Sequence, residues 1–269
     1  MPELPEVEVT CKGIRPYSEN EIICEINLHH RKLRWDVSDK IFNCLKKPIV
    51  AIERRAKYIL VKYQDGYLII HLGMSGTLRV NEKSDSLIKH DHIEFILKNG
   101  NKLVFNDPRR FGFVLWKDIN EFDAYFSHLG PEPLSEKFDT KYLSNVLKKS
   151  KSNIKQVIMN QKTVVGVGNI YANEALFESK ISPLRIANQL KKLEIELLVK
   201  NIKIVLQKSI NQGGTTLKDF KQANGKPGYF VQELSVYGRK DQPCMVCGNL
   251  LKEVRINNRT SVYCDKCQH

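Results

Sequence analysis

Apolar positions in the first half of the chain recur in short runs of strand character. Ile22–Leu28 partly alternates, and Tyr58–Tyr63 and Tyr67–Leu72 are rich in β-branched and aromatic residues. Gln64-Asp65-Gly66 joins the last two as a hairpin, and Asn99-Gly100 joins His92–Leu97 to Lys102–Asn106 in the same way. Phe113–Trp116 predicts a further strand, and Pro5–Tyr17 a short opening helix with Pro5 at its first position. Several short strands with regular turns, and a helix or two attached, predict a β-sandwich. The period changes near Gly130-Pro131-Glu132-Pro133. Beyond it Thr140–Lys149, Asn153–Gln161, Asn169–Glu178 and Ala187–Asn211 read as helices. The last presents Leu190, Leu193, Leu197, Ile202, Val205, Leu206 and Ile210 as one apolar face and stops at Gly213-Gly214. The fold class expected is therefore α+β and multi-domain. Its boundaries are 2–131 for a β-sandwich, 132–222 for a helical domain, 223–237 for a connecting segment and 238–269 for a C-terminal module. Residues 215–228, polar and glycine-bearing, read as a functional loop.

Charge adds a partner to this outline. The 269 residues carry a formal net charge of +13, which points to a polyanion. Residues 1–135 hold 20 basic and 19 acidic side chains, whereas 136–222 hold 16 and 7, so the electrostatic grip belongs to the helical part. No apolar run approaches the roughly 20 residues of a membrane span. The acidic N-terminus is also the wrong chemistry for a signal or transit peptide. A soluble cytoplasmic protein is expected, and the seven cysteines without a repeating framework argue against a secreted disulfide scaffold.

Four stretches carry candidate chemistry. Cys244, Cys247, Cys264 and Cys267 form two C-x-x-C pairs whose spacing suits one four-thiolate zinc, a closed and therefore structural site. The segment between the pairs reads as a hairpin turning at Asn257-Asn258 and presenting Arg255 and Arg259. At the other end, Pro2 is small enough for Met1 to be trimmed, leaving a secondary amine with a pKa of about 7.7–8.0. Such an amine condenses with a sugar aldehyde carbon to give an iminium, an electron sink for elimination, beside two carboxylates, Glu3 and Glu6. By themselves these six residues favour a plain helix start. Gly166-Val167-Gly168-Asn169 precedes a helix, where Asn169 either caps it or reaches a phosphate. Met74 and Arg109-Arg110-Phe111 lie in glycine-bounded turns that suit wedges entering a duplex, or side chains folded back into the core. Arg54-Arg55-Ala56-Lys57 reads either as a charge-protected edge strand or as a phosphate contact beside a reacting sugar.

Together the Pro-Glu-Leu-Pro-Glu start, Arg-Arg-Ala-Lys-Tyr, His-Leu-Gly-Met-Ser-Gly, Asp-Pro-Arg-Arg-Phe-Gly, Val-Gly-Val-Gly-Asn-Ile-Tyr and the four-cysteine finger resemble the formamidopyrimidine-DNA glycosylases. These bacterial repair enzymes remove oxidised purines. The resemblance runs the whole chain. It implies a β-sandwich, a helix-two-turn-helix domain and a β-hairpin zinc finger, with damaged double-stranded DNA held between the domains. It implies that Pro2 attacks C1′ and that Glu3 moves protons at the sugar. Lys57 assists near the sugar–phosphate, and Arg259 belongs to both the catalytic and the DNA-binding set. His71, Lys155, Asn169 and Arg259 contact phosphates. Met74, Arg109 and Phe111 fill the void, Arg109 facing the orphaned cytosine, and the 215–228 loop covers the flipped base. A monomer acting at the nucleoid, with one structural Zn²⁺ and no nucleotide cofactor, follows from the same resemblance.

Two alternatives stand beside it. An enzyme resembling endonuclease VIII shares the proline and the finger but prefers oxidised pyrimidines; Leu4 and the Met74, Arg109, Phe111 set favour the purine enzyme. A zinc-dependent DNA-binding regulator without activity needs neither Pro2-Glu3 nor wedges. The sequence departs from the family pattern at Cys11, Asn249, Leu251 and His269.

Overall fold

The computed structural model describes residues 2–215 and 233–269 and divides into two compact units, Met1–Ser127 with Gln212–Val231 and His128–Asn211 with Gln232–His269. The expected loop 215–228 is thus described only at Thr215; its remainder, and residues 223–232 of the connecting segment, lie outside the described residues.

The first unit opens with α1 (Leu4–Ser18). Glu3 caps it in a reciprocal box with Glu6, satisfying two of the N–H groups that every helix start leaves free. Its inner stripe of Leu4, Val7, Cys11 and Ile14 is fully buried, each such apolar side chain contributing about 1.5–3 kcal/mol. Eight antiparallel strands follow: β1 (Ile23–Leu28), β2 (Ala51–Arg55), β3 (Tyr58–Lys62), β4 (Gly66–His71), β5 (Thr77–Glu82), β6 (Asp91–Leu97), β7 (Asn101–Asn106) and β8 (Phe113–Asp118). They form two sheets ordered β1-β6-β7-β5 and β2-β3-β4-β8. Alternate residues of both, among them Ile52, Ile59, Val61, Leu68, Ile70, Phe95, Leu103, Phe105 and Trp116, meet in one core. This is the expected sandwich. β2 is an edge strand, and Arg54 on it is ion-paired to Glu8 of α1 at 2.8 Å. β5 and the helix α2 (Ile119–Phe126) are not announced by the apolar pattern. Thr77–Glu82 buries little beyond Leu78. For α2 a usable signal was present, the Asp118/Glu121 capping box.

The second unit contains α3 (Thr140–Leu147), α4 (Ile154–Met159), α5 (Asn169–Glu178) and α6 (Lys192–Asn211). The helix expected from Ala187 begins instead at Lys192. Ala187–Gln189 form one 3-10 turn, Leu190 is extended, and the Glu194 carboxylate accepts the Lys191 N–H at 2.7 Å. The buried face is consequently Ile195, Leu198, Val199, Ile202, Val205, Leu206 and Ile210. Leu193, expected inside, is 78% exposed, and Leu197 is exposed as well. Gly213 and Gly214 end the helix in the left-handed region. The finger hairpin is β9 (Lys252–Ile256) paired with β10 (Arg259–Tyr263). Asn257 and Asn258, with φ of 46° and 57°, make the two-residue turn that the twist of the strands favours. The Glu174 carboxylate of α5 accepts the N–H groups of Ser235, Val236 and Tyr237 at 2.7, 3.0 and 2.8 Å, fastening the approach to the finger onto that helix.

Candidate functional site

In the first unit, Pro2 is buried immediately ahead of the α1 cap. Glu3, 2% exposed, donates its N–H to Glu6 Oε2 at 2.8 Å while its carboxylate accepts from the Glu6 N–H. The other Glu6 oxygen accepts the Thr215 N–H at 2.9 Å. Two carboxylates are thus fixed beside the terminus, and Glu6 also holds the residue at which the 215–228 segment begins.

Lys57 sits on the two-residue turn Ala56–Lys57 between β2 and β3. There Ala56 takes a φ of 54°, a conformation that costs about 1 kcal/mol for a non-glycine residue. His71 closes β4. Its Nδ1 accepts the Gly73 N–H at 3.0 Å, so the ring proton resides on Nε2, and Phe113 stacks on it at 5.1 Å. Burial lowers its pKa to about 4, helped by the charges of Lys57 and Arg34. His71 is therefore a neutral N–H donor at neutral pH. With a folded value near 4 and an ordinary value near 6.5, the unfolded chain takes up the proton first as pH falls. The His71 contribution to stability is accordingly unchanged above about pH 6.5 and is lost progressively down to about pH 4. NMR of the His71 ring should show no titration between about pH 5.5 and 8; a midpoint near 6.5 would contradict this geometry.

The three residues expected as wedges differ in exposure. Phe111 is 42% exposed, Arg109 is exposed with its guanidinium 4.9 Å from the Phe111 ring centre, and Met74 is half-buried. For Phe111, folding back into the core is excluded. The residue that shapes this region is Asp107, which sequence reasoning missed. Fully buried, it accepts from Ser75 Oγ at 2.8 Å and from the Gly112 N–H at 2.7 Å, with a longer contact from the Arg109 N–H at 3.3 Å. His92 donates through Nε2 to its carbonyl at 2.8 Å. One carboxylate thereby joins the turn carrying Met74 to the turn carrying Arg109 and Phe111. The two turns touch through backbone: a Cβ on Gly73, at φ +64°, would lie 2.4 Å from the Gly112 nitrogen. Asp107→Ala leaves a buried hydroxyl and a buried N–H without an acceptor. It should cost about 2–4 kcal/mol in chemical denaturation, and Asp107→Asn less than half of that. Equal losses for the two variants would refute the hydrogen-bond account.

In the second unit, Asn169 is the first residue of α5. Its amide oxygen is buried without a partner, so the side chain does not cap its own helix through that oxygen. Arg259 is exposed at the start of β10 and, with Gln156, Asn160, Thr163 and Asn257, lines a groove of about 590 Å³. Lys155 differs from expectation. It is fully buried, and its ammonium donates to Ser261 Oγ at 2.7 Å, the Thr260 carbonyl at 3.0 Å and Asn173 Oδ1 at 3.2 Å. Its ammonium is committed to positioning the strand that follows Arg259. Asn173, whose Oδ1 also accepts the Val262 N–H at 3.1 Å, is a second positioning residue that the sequence did not disclose.

The four cysteine sulfurs lie within 4.8 Å of one another, with Cys244–Cys267 at 3.9 Å and Cys247–Cys264 at 3.5 Å. A tetrahedral zinc with Zn–S bonds of about 2.3 Å needs sulfurs about 3.8 Å apart, so the set fits one structural zinc. The departures from the family pattern are absorbed locally. Asn249 accepts the Cys244 N–H through its carbonyl and bonds Asp265 through its amide, linking the two knuckles. Leu251 is buried in the finger core, and Cys11 is buried, its thiol pushed up to about 12 by burial and so inert.

Comparison with known proteins agrees along the whole chain. Family models match at residues 1–114 (formamidopyrimidine-DNA glycosylase N-terminal domain), 129–221 (formamidopyrimidine-DNA glycosylase H2TH domain) and 241–269 (zinc finger found in FPG and IleRS). The formamidopyrimidine-DNA glycosylase of Pasteurella multocida is 51% identical over 100% of this chain and 99% of its own. That of Proteus mirabilis is 49% identical over 100% and 98%. Among solved structures, the Lactococcus lactis Fpg complexed with DNA containing an abasic site superposes with a TM-score of 0.92. It is 32% identical over 99% of both chains. The MutM (Fpg) protein of Thermus thermophilus gives 0.89 at 33% identity, over 99% of this chain and 98% of its own. The sandwich, the helical domain, the four-thiolate finger and this full-length identity place the chain in the formamidopyrimidine-DNA glycosylase family.

Proposed function

We propose that the protein is a base-excision enzyme that removes oxidised purines, 8-oxoguanine and formamidopyrimidines, from duplex DNA and then nicks the strand. The observation that carries this reading is the buried Pro2-Glu3 terminus, with Glu3 locked by its reciprocal box with Glu6. Once Met1 is removed, the Pro2 nitrogen attacks C1′ of the extruded nucleotide and the glycosidic bond breaks, its electron pair leaving with the base. The Glu3 carboxylate takes up the proton that the Pro2 nitrogen loses on bonding to C1′ and passes it to the sugar ring oxygen; the ring opens, and an iminium forms. Loss of a proton from C2′ expels the 3′ phosphate; a second elimination expels the 5′ phosphate and leaves a one-nucleotide gap. Glycosylase and abasic-site lyase activities thus share one covalent intermediate. Neither step requires a catalytic metal or a nucleotide cofactor, and zinc acts only in holding the finger.

The remaining roles follow the chemistry of each residue. Lys57 supplies positive charge at the sugar–phosphate and His71 a neutral N–H donor. Met74 and Phe111 fill the vacated space, and Arg109 faces the orphaned base. Asn169 and Arg259 contact phosphates in the second unit, whereas Lys155 acts on phosphate only through the strand it holds. A monomer suffices for all of this.

Borohydride reduction in the presence of an 8-oxoguanine:cytosine duplex tests the reading. The expected product is a protein–DNA adduct at Pro2 with Met1 absent, identified by peptide mass spectrometry. Attachment at a lysine would displace Pro2 from the mechanism. Binding without a covalent product would instead support a non-enzymatic DNA-binding protein.

A further inference from the structure

We propose that the groove between α3 and α6 binds an acidic peptide segment of a partner protein, with apolar side chains inside and carboxylates on a lysine rim. Two hollows of about 350 and 580 Å³ share Ser144, Lys148 and Lys192, and so form one continuous groove. Its floor is apolar: Leu147, Leu190 and Ile195 are 1%, 8% and 4% exposed. Its rim is basic. Lys141, Lys148 and Lys192 are exposed, and none is ion-paired among the described residues. The one carboxylate in the lining, Asp139, is committed to capping α3 through the Tyr142 N–H at 2.6 Å. Leu193, next in sequence to the rim residue Lys192, is 78% exposed although the periodicity of α6 assigns it to the buried face.

Charge complementarity selects the occupant. A second copy of this chain would bring the same lysines against one another. A nucleic acid would satisfy the lysines but gain nothing from the leucine and isoleucine floor, and no aromatic ring lines the groove for base stacking. A peptide alternating carboxylates with aliphatic side chains uses both parts.

A fluorescein-labelled decapeptide of alternating aspartate and leucine, titrated by anisotropy into the zinc-loaded full-length protein, tests the assignment. Saturable binding should weaken at least about tenfold in the Lys148→Glu, Lys192→Glu double variant and measurably in Leu193→Ser. All of these positions are exposed or at the rim, so the melting temperature should be unchanged in every variant. Leu193→Ser, which alters no charge, should also leave borohydride trapping unchanged, which separates this result from any failure of the proposed activity. A peptide with lysine replacing aspartate should not bind, and one with alanine replacing leucine should bind more weakly. Equal affinity for the alanine peptide, or affinity indifferent to charge reversal, would overturn the proposal. An undamaged duplex that displaces the peptide, and itself loses affinity in the double variant, would overturn it in favour of a DNA contact.

Discussion

Glu3→Gln should retain the fold and lose the chemistry. The Glu3 side chain does two things: it accepts the Glu6 N–H at the start of α1, and in the proposed mechanism it moves protons at the sugar. Glutamine keeps an acceptor oxygen of the same reach, so the cap survives, and the lost charge at the helix N-terminus changes stability by no more than about 1 kcal/mol. General acid–base catalysis supplies about 10²–10⁴ in rate, and single-turnover base release should fall by that factor. Binding to an uncleavable lesion analogue should stay within about threefold, because the change removes transition-state rather than ground-state interactions. A variant that retains activity within about tenfold would remove Glu3 from the proton-transfer role, and one that melts early would overturn the account of the cap.

Stripping zinc should abolish DNA binding while leaving the first unit folded. Structural zinc in small fingers contributes about 10–16 kcal/mol, and it is bound only by deprotonated thiols. Cys264 is buried in the finger core with Val236, Leu251 and Val262, so Cys264→Ser removes a ligand and opens that small core together. Both tryptophans of the chain, Trp35 and Trp116, belong to the first unit, and Trp116 lies within the sandwich core. Their fluorescence should therefore stay native in the variant and after chelation, while affinity for duplex DNA drops at least about 100-fold through loss of the placed Arg259. One zinc per chain should be released. A shift of tryptophan emission to the unfolded value would show instead that the finger supports the sandwich.

What could be read from the sequence was local. The C-x-x-C pairs, the Asn257-Asn258 turn and the bounds of α5 all follow from chemistry within a few residues, and each matches the structure. Periodicity failed at α6 because it reports which residues share a face, not where the helix begins. The Glu194 carboxylate accepting the Lys191 N–H marks that start, and Leu193 is left in water. The positioning residues were hidden for a different reason. Ser75 and Asp107 are 32 positions apart, and Lys155 reaches Thr260 across 105. An aspartate before Pro-Arg-Arg looks like a turn residue, and a lysine in a basic helix looks like a phosphate ligand. Only the folded partners show that Asp107 is a buried hub and that the Lys155 charge points inward. The roles assigned to Pro2, Glu3, Lys57, Asn169 and Arg259 rest on proposed chemistry that the trapping experiment addresses at its first step.

The buried Lys155 sets a limit on modularity. Many metal fingers behave as portable parts that can be cut out and spliced elsewhere, because the metal is their whole core. Here the Lys155 ammonium from α4 holds the hairpin at Thr260 and Ser261, Asn173 holds it at Val262, and Glu174 anchors three successive N–H groups of the turn that leads into the finger. Phe177 of α5 also completes the finger core. An excised 233–269 fragment would still gather its thiolates around a metal, yet it would leave a lysine, an asparagine and a glutamate behind as uncompensated polar groups in the donor. Recombination should then respect a unit that runs from α4 through the finger. Chimeras that exchange the helices and the finger together keep these contacts, and chimeras cut at the start of the finger break all of them at once.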